Sequence, residues 1–249
     1  GSRMCIRDSI FSVGAHLCKQ DEHDDTRNIV GSNTTEGLAR ERRPSYDTST
    51  EYIKNKLGGY GLYYRTVMAE LGLIYPGGPG LPYPIDVPSE LGEKLALAFK
   101  SGVEHTRYYR EYFDQDNVMV PIEVIEEYIQ PACLCQAKTD SAPDAHLLRD
   151  LFLHGGLPEL AESRRATFRY LLDISSQTNG FAIDQDAFRQ LAFFGQAVTG
   201  ARYSPANEEI ASTHKRWRLY QAREYYAFAL NAMWHYLCGW GIAGNGDIR

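Results

Sequence analysis

The side chains in these 249 residues that come nearest to a reactive set are four cysteines and histidines. Cys133 and Cys135 flank a single leucine, and His235 and Cys238 stand three residues apart, on one face if that stretch is helical. Together they could offer zinc three thiolates and an imidazole, a donor set that tetrahedral structural sites use. The spacing argues the other way. A Cys-x-Cys pair is tighter than the common Cys-x2-Cys knuckle, and the second pair follows about a hundred residues later. Free cysteine is among the most buried residue types, so packed thiols are the expected state, with neither metal nor other cofactor.

Other constellations carry less. His16, His23 and Asp24 resemble the His…His-Asp pattern of the all-helical metal phosphohydrolases. The spacing is short, however, and no fourth ligand is evident nearby, so Asp21-Glu22-His23-Asp24-Asp25 reads as a solvated acidic loop. The chain has no Gly-x-Ser-x-Gly elbow, Walker loop, Gly-x-Gly-x-x-Gly turn or His-Glu-x-x-His helix. Gly77–Gly80 is broken by Pro79, which lacks the N–H that a phosphate cradle needs. The pairs Glu126-Glu127 and Glu208-Glu209 read as solvated faces, as do the basic runs Arg164–Arg169 and Lys215–Arg223. No complete catalytic motif is present, and a non-enzymatic role is the expectation.

The elements that must position such groups are mainly helices. Composition is that of an ordinary globular chain, 43% hydrophobic and 23% charged, which excludes collagen, low-complexity disorder and a disulfide miniprotein. Scattered cysteines predict a reducing, cytoplasmic setting. Helices are predicted over 48–57, 62–71, from Ser89 to about 100, and over 103–113, 121–129, 142–153, 160–175, 185–198 and 205–238. Their signals are Gly72 as a left-handed stop, Ser89 and Asp184 as caps, and Pro121 in a first turn. Thr26–Thr48 lacks a hydrophobic period and reads as a linker. Tyr225–Ile242 is apolar on every side; with Asn231 and His235 in it and many aromatics, it predicts a buried central helix rather than a membrane span. A continuous last helix would be ~50 Å long, so a break or projecting end is expected.

The ends carry their own signal. Gly1-Ser2 reads as a remnant of tag removal, and Met4–Ser9 spells the translation of the end of a common transposon sequencing adapter. On that reading the frame comes from an environmental (metagenome) fragment, and native sequence starts near Ile10. The alternative is a genuine N-terminus of that sequence. Either way residues 1–9 are expected to carry no fold signal, and both ends are expected to be truncated.

Residues 49–100 run helix, glycine turn, helix ending Glu70-Leu71-Gly72-Leu73-Ile74, a Pro/Gly turn between two short strands, then Ser89-Glu90-Leu91-Gly92 opening another helix. This order resembles the second half of a winged helix-turn-helix module, although the wing is rich in proline and the usual first helix is not evident. The resemblance implies a recognition-like helix at 62–71, with Tyr63, Tyr64 and Arg65 near its start. Around it Arg40, Arg42, Arg43, Lys54, Lys56 and Arg65 outnumber Glu41, Asp47 and Glu51, against a whole-chain charge of -6. Such a basic segment with tyrosines suits phosphate contact and base stacking. The reading is therefore a mainly α protein. Residues 1–9 are remnant, 10–47 a helix tail and linker, 48–102 a winged-helix-like element with a short β-hairpin, and 103–249 a helical bundle around the long C-terminal helix. Its expected role is a binding or scaffolding module of a larger prokaryotic protein, with nucleic acid or protein as partner and no membrane. A fragment of a metal-dependent hydrolase or nuclease is the alternative.

Overall fold

The computed structural model describes residues 2–19, 29, 31–40, 43–48, 58–116, 118–138, 142–178 and 183–242. The chain is mainly helical and divides into two compact units, 1–161 and 162–249. In the first, α1 (Ser2–Leu17) and α5 (Ile122–Ala132) line the larger core, and α2 (Ser32–Arg40) is hydrogen-bonded to α1. Ile6, Ile10 and Val13 line one stripe of α1, and Val124, Ile125, Tyr128 and Ile129 line one stripe of α5. Gly14 lets the two helices close. A Cβ there would lie 3.1 Å from Ile129 Cβ and 3.2 Å from Ile125 Cγ2.

Two antiparallel strand pairs complete this unit. β1 (Ser45–Asp47) pairs with β4 (Met119–Pro121), Tyr46 opposite Val120, and both of those side chains enter the core. β2 (Ile74–Tyr75) pairs with β3 (Val87–Pro88), closing the proline-rich hairpin anticipated between them. Before it, a wide five-residue helical turn (Tyr60–Tyr64) leads into α3 (Arg65–Glu70). Gly72, at φ +77°, ends α3, and the Leu73 N–H reaches back to the Met68 carbonyl at 2.8 Å. After β3, Ser89 caps α4 (Glu90–Val103): its hydroxyl accepts from the Gly92 N–H and donates to the Gly72 carbonyl at 2.7 Å. Leu73, Ile74 and Leu151 of α6 (Ala145–His154) form a small core beneath the hairpin.

The division falls inside α7 (Pro158–Gln177). In the second unit α7, α8 (Gln185–Phe194) and α9 (Glu208–Ile242) pack around Tyr170, Ile174, Leu191 and Tyr203. The Asp184 carboxylate accepts from the Ala187 N–H at 2.7 Å and starts α8, while Gly195 at φ +70° stops it four residues short of the anticipated end.

Several expectations need correction. Residues 2–9 are helical, with Ile6 packed in the first core and Ser9 buried. The supposed linker contains α2 and β1. The buried residues described in α2, Ser32 and Thr35, are polar, and Thr35 Oγ1 meets Ser12 Oγ at 2.8 Å, so hydropathy gives no sign of their burial. Residues 103–113 are not a plain helix either, since α4 ends at Val103 and a wide helical turn (Tyr108–Tyr112) follows. The anticipated helix over 48–57 lies outside the described residues except at its first position. The largest correction concerns α9. It runs unbroken for 35 residues, and from Tyr226 to Trp240 its large side chains face outward instead of forming a central core.

Candidate functional site

The anticipated recognition segment is built differently from a free basic face. The Arg65 guanidinium grips Asp86 with two contacts, Nε to Oδ2 at 2.7 Å and Nη2 to Oδ1 at 2.8 Å, and also donates to the Gly77 carbonyl at 2.9 Å. Asp86 accepts further from the Gly77 N–H at 2.7 Å and the Tyr60 hydroxyl at 2.5 Å. These donors, Arg65 foremost, hold the Asp86 carboxyl well below the usual carboxylate range. Burial and then the neighbouring Asp86 push the Tyr60 phenol up to about 12. Arg65 thus ties α3 to the hairpin, beside an open cleft of about 800 Å³ lined by Tyr60, Met68, Ile74, Ile85 and this ion pair.

The other residues of that segment scatter. Tyr63 and Tyr64 are exposed beside the pair, and Arg43 is exposed before β1. Arg40 closes α2; its side chain, with Arg42, Lys54 and Lys56, lies outside the described residues. His16 is bound through Nε2 to the Ser32 carbonyl at 3.0 Å, holding α2 against α1. His23 and Asp24 are outside the described residues.

The cysteines group in a way that spacing did not reveal. Cys18 follows α1 directly after Leu17, Cys133 follows α5, and Cys135 lies in the short 3-10 turn Leu134–Lys138. The three sulfurs all lie within 4.8 Å of one another, and Cys18 Sγ is 3.7 Å from Cys135 Sγ. Burial pushes the Cys133 thiol up to about 12 and raises Cys135 as well. His235 and Cys238, the partners first considered, are exposed on α9 in the second unit. Cys18 was missed because the contact spans 117 residues of sequence, and the one available hint was its residue type.

The third feature is the outer face of α9. Tyr226, Leu230, Met233, Leu237 and Trp240 succeed one another at intervals of four and three, the seam of a coiled coil, and all are exposed. Trp234 and Tyr236 flank this seam, while Phe228 lies on the opposite side. From Tyr225 to Ile242 the helix carries no Asp, Glu, Lys or Arg. No described helix is long and apolar enough to cross a membrane.

No family model, curated protein or solved structure matches this chain.

Proposed function

We propose that the chain is a non-enzymatic scaffolding module that assembles through the outer half of α9, with a second copy of the same helix as its partner. The exposed four-three seam from Tyr226 to Trp240 carries this reading. Contiguous exposed apolar surface of this size marks an interaction site in a soluble protein, and a spacing of 3.5 residues keeps one stripe turned toward a supercoiled neighbour.

A second copy fits for two reasons. The positions flanking the seam hold no formal charge, so an identical helix meets no like-charge repulsion there. The area is also sufficient. The seam with Trp234 and Tyr236 is exposed by 41–70%. At ~150–250 Å² for each aromatic and somewhat less for each aliphatic side chain, it offers roughly 800 Å², about what each partner contributes to a standard interface.

Light scattering across a dilution series tests the proposal: a mass near twice the chain mass at high concentration, falling toward one chain on dilution, supports it. A single-chain mass at every concentration sinks it.

Nucleic-acid contact is the second reading, favoured by the adjacent exposed rings of Tyr63 and Tyr64. Arg65 adds little to it while Asp86 and Gly77 hold its guanidinium. Anisotropy with labelled single and double strands at low salt tests this reading, and a flat titration removes it.

A further inference from the structure

We propose that Cys18, Cys133 and Cys135 form a binding site for a thiophilic d10 cation, zinc(II) or copper(I), at the edge of the first core. Three thiols from two chain segments converge there with all sulfurs within 4.8 Å of one another. A zinc–thiolate bond of about 2.3 Å in tetrahedral geometry sets neighbouring sulfurs roughly 3.8 Å apart. The Cys18–Cys135 separation is 3.7 Å. One of the three sulfur pairs therefore already stands at ligand distance, and closing the other two takes at most ~1 Å of movement.

The segments that deliver the thiols are packed on the first core. Cys18 and Cys133 each stand immediately beyond the end of a helix, α1 and α5, and those helices are locked together where Gly14 meets Ile125 and Ile129. Such preorganisation is what a metal site needs before the ion arrives. Cys133 and Cys135 are buried, whereas Cys18 is half-buried and Leu134 between the other two is exposed, so the site opens to solvent on one side. That opening supplies an entry path and a fourth position for water or an external ligand on zinc. Three thiolates without a fourth ligand suit copper(I) equally, since soft sulfur donors select both ions. Binding forms sulfur–metal bonds and releases the thiol protons to the buffer; no electrons are transferred.

The test uses the full chain, reduced with a phosphine, mixed under nitrogen with one equivalent of zinc or of copper(I), and desalted before elemental analysis. The expected result is about one ion per chain for at least one of the two metals. Retention should fall at least tenfold in Cys18→Ser, whose partly exposed position spares the core, and in Cys135→Ser. Cobalt(II) substituted for zinc should show a thiolate-to-metal charge-transfer band that both variants lose. Loading with copper(I) alone assigns the site to the monovalent ion, and loading with zinc assigns it to the divalent one. Neither ion retained, or retention unchanged in Cys18→Ser, overturns the proposal. A Cys18–Cys135 disulfide forming in air in a chain that holds neither ion overturns it too. The readout is independent of self-association through α9.

Discussion

Gly14 and Gly37 give the same substitution opposite consequences. Each stands three residues before the last residue of its helix, Gly14 in α1 and Gly37 in α2. A Cβ on Gly37 meets nothing within 4 Å, whereas on Gly14 it meets Ile129 Cβ at 3.1 Å, Ile125 Cγ2 at 3.2 Å and Ile129 Cδ1 at 3.2 Å. Replacing either glycine by alanine gains about 0.8–1 kcal/mol of helix propensity. At Gly37 that gain stands alone, so Gly37→Ala should stabilise the fold. At Gly14 three contacts are too close at once, all to two branched side chains held in the core, Ile125 and Ile129, and overpacking of this kind costs ~1–3 kcal/mol. Gly14→Ala should therefore be neutral to destabilising, and the two variants should differ by about 1–3 kcal/mol, the packing term alone. Urea denaturation followed by circular dichroism reads this difference; in a chain of this size it corresponds to about 2–4 °C in Tm per kcal/mol. If Gly14→Ala proves as stable as Gly37→Ala, α1 and α5 do not meet at Gly14, and the placement of Cys18 beside Cys135 fails with it.

The remaining predictions concern single positions. Gly92→Ala in the first turn of α4 would put a methyl 2.1 Å from the Leu73 carbonyl oxygen, a backbone atom that cannot swing away. It should cost about 3 kcal/mol or more in the same denaturation assay, against the gain that propensity alone would suggest. Asp184→Ala removes the acceptor that caps α8 and should lower stability by about 1 kcal/mol, with Asp184→Asn recovering most of it. His214, hydrogen-bonded to Tyr170 at 3.0 Å, has its pKa lowered from the usual 6.5 first by burial and then by the Arg218 charge. Its neutral ring contributes stability that is fully present above pH 6.5 and is lost as pH falls through the lowered folded value. Denaturation midpoints should decline over that window in the wild-type chain, and His214→Gln should flatten the decline; an identical slope in both would sink the assignment.

What the sequence disclosed was local. Ser89, Asp184, Pro121 and Gly72 mark helix ends through the hydrogen bonds and dihedral angles of their own neighbourhoods, and each marks a helix end where the structure has one. What stayed hidden depends on distant partners. β1 is three residues long and is defined only by β4 more than seventy residues later, a pairing with no trace in either segment alone. The buried Ser32 and Thr35 of α2 carry hydroxyls, which hydropathy reads as solvent-facing. On α9 the apolar residues were legible but their surroundings were not, because a helix that awaits a partner has the same composition as one surrounded by its own chain. For a similar reason, counting charge near Arg65 could not reveal that Asp86, 21 residues on, pairs with it.

The most direct test of the scaffolding proposal compares two lysine substitutions on α9 by sedimentation velocity. Leu237 lies on the four-three seam, and Phe228, still more exposed, lies on the opposite side. Covering a leucine fully contributes ~1.5–3 kcal/mol. With Leu237 41% exposed, each copy loses about 1 kcal/mol and a symmetric pair about 2, which is at least ~30-fold in Kd before the cost of burying two lysines. A dimer is expected for the wild-type chain and for Phe228→Lys, and a monomer of unchanged helicity for Leu237→Lys. Equal sedimentation of all three as monomers, or equal loss of the dimer in both variants, would contradict it.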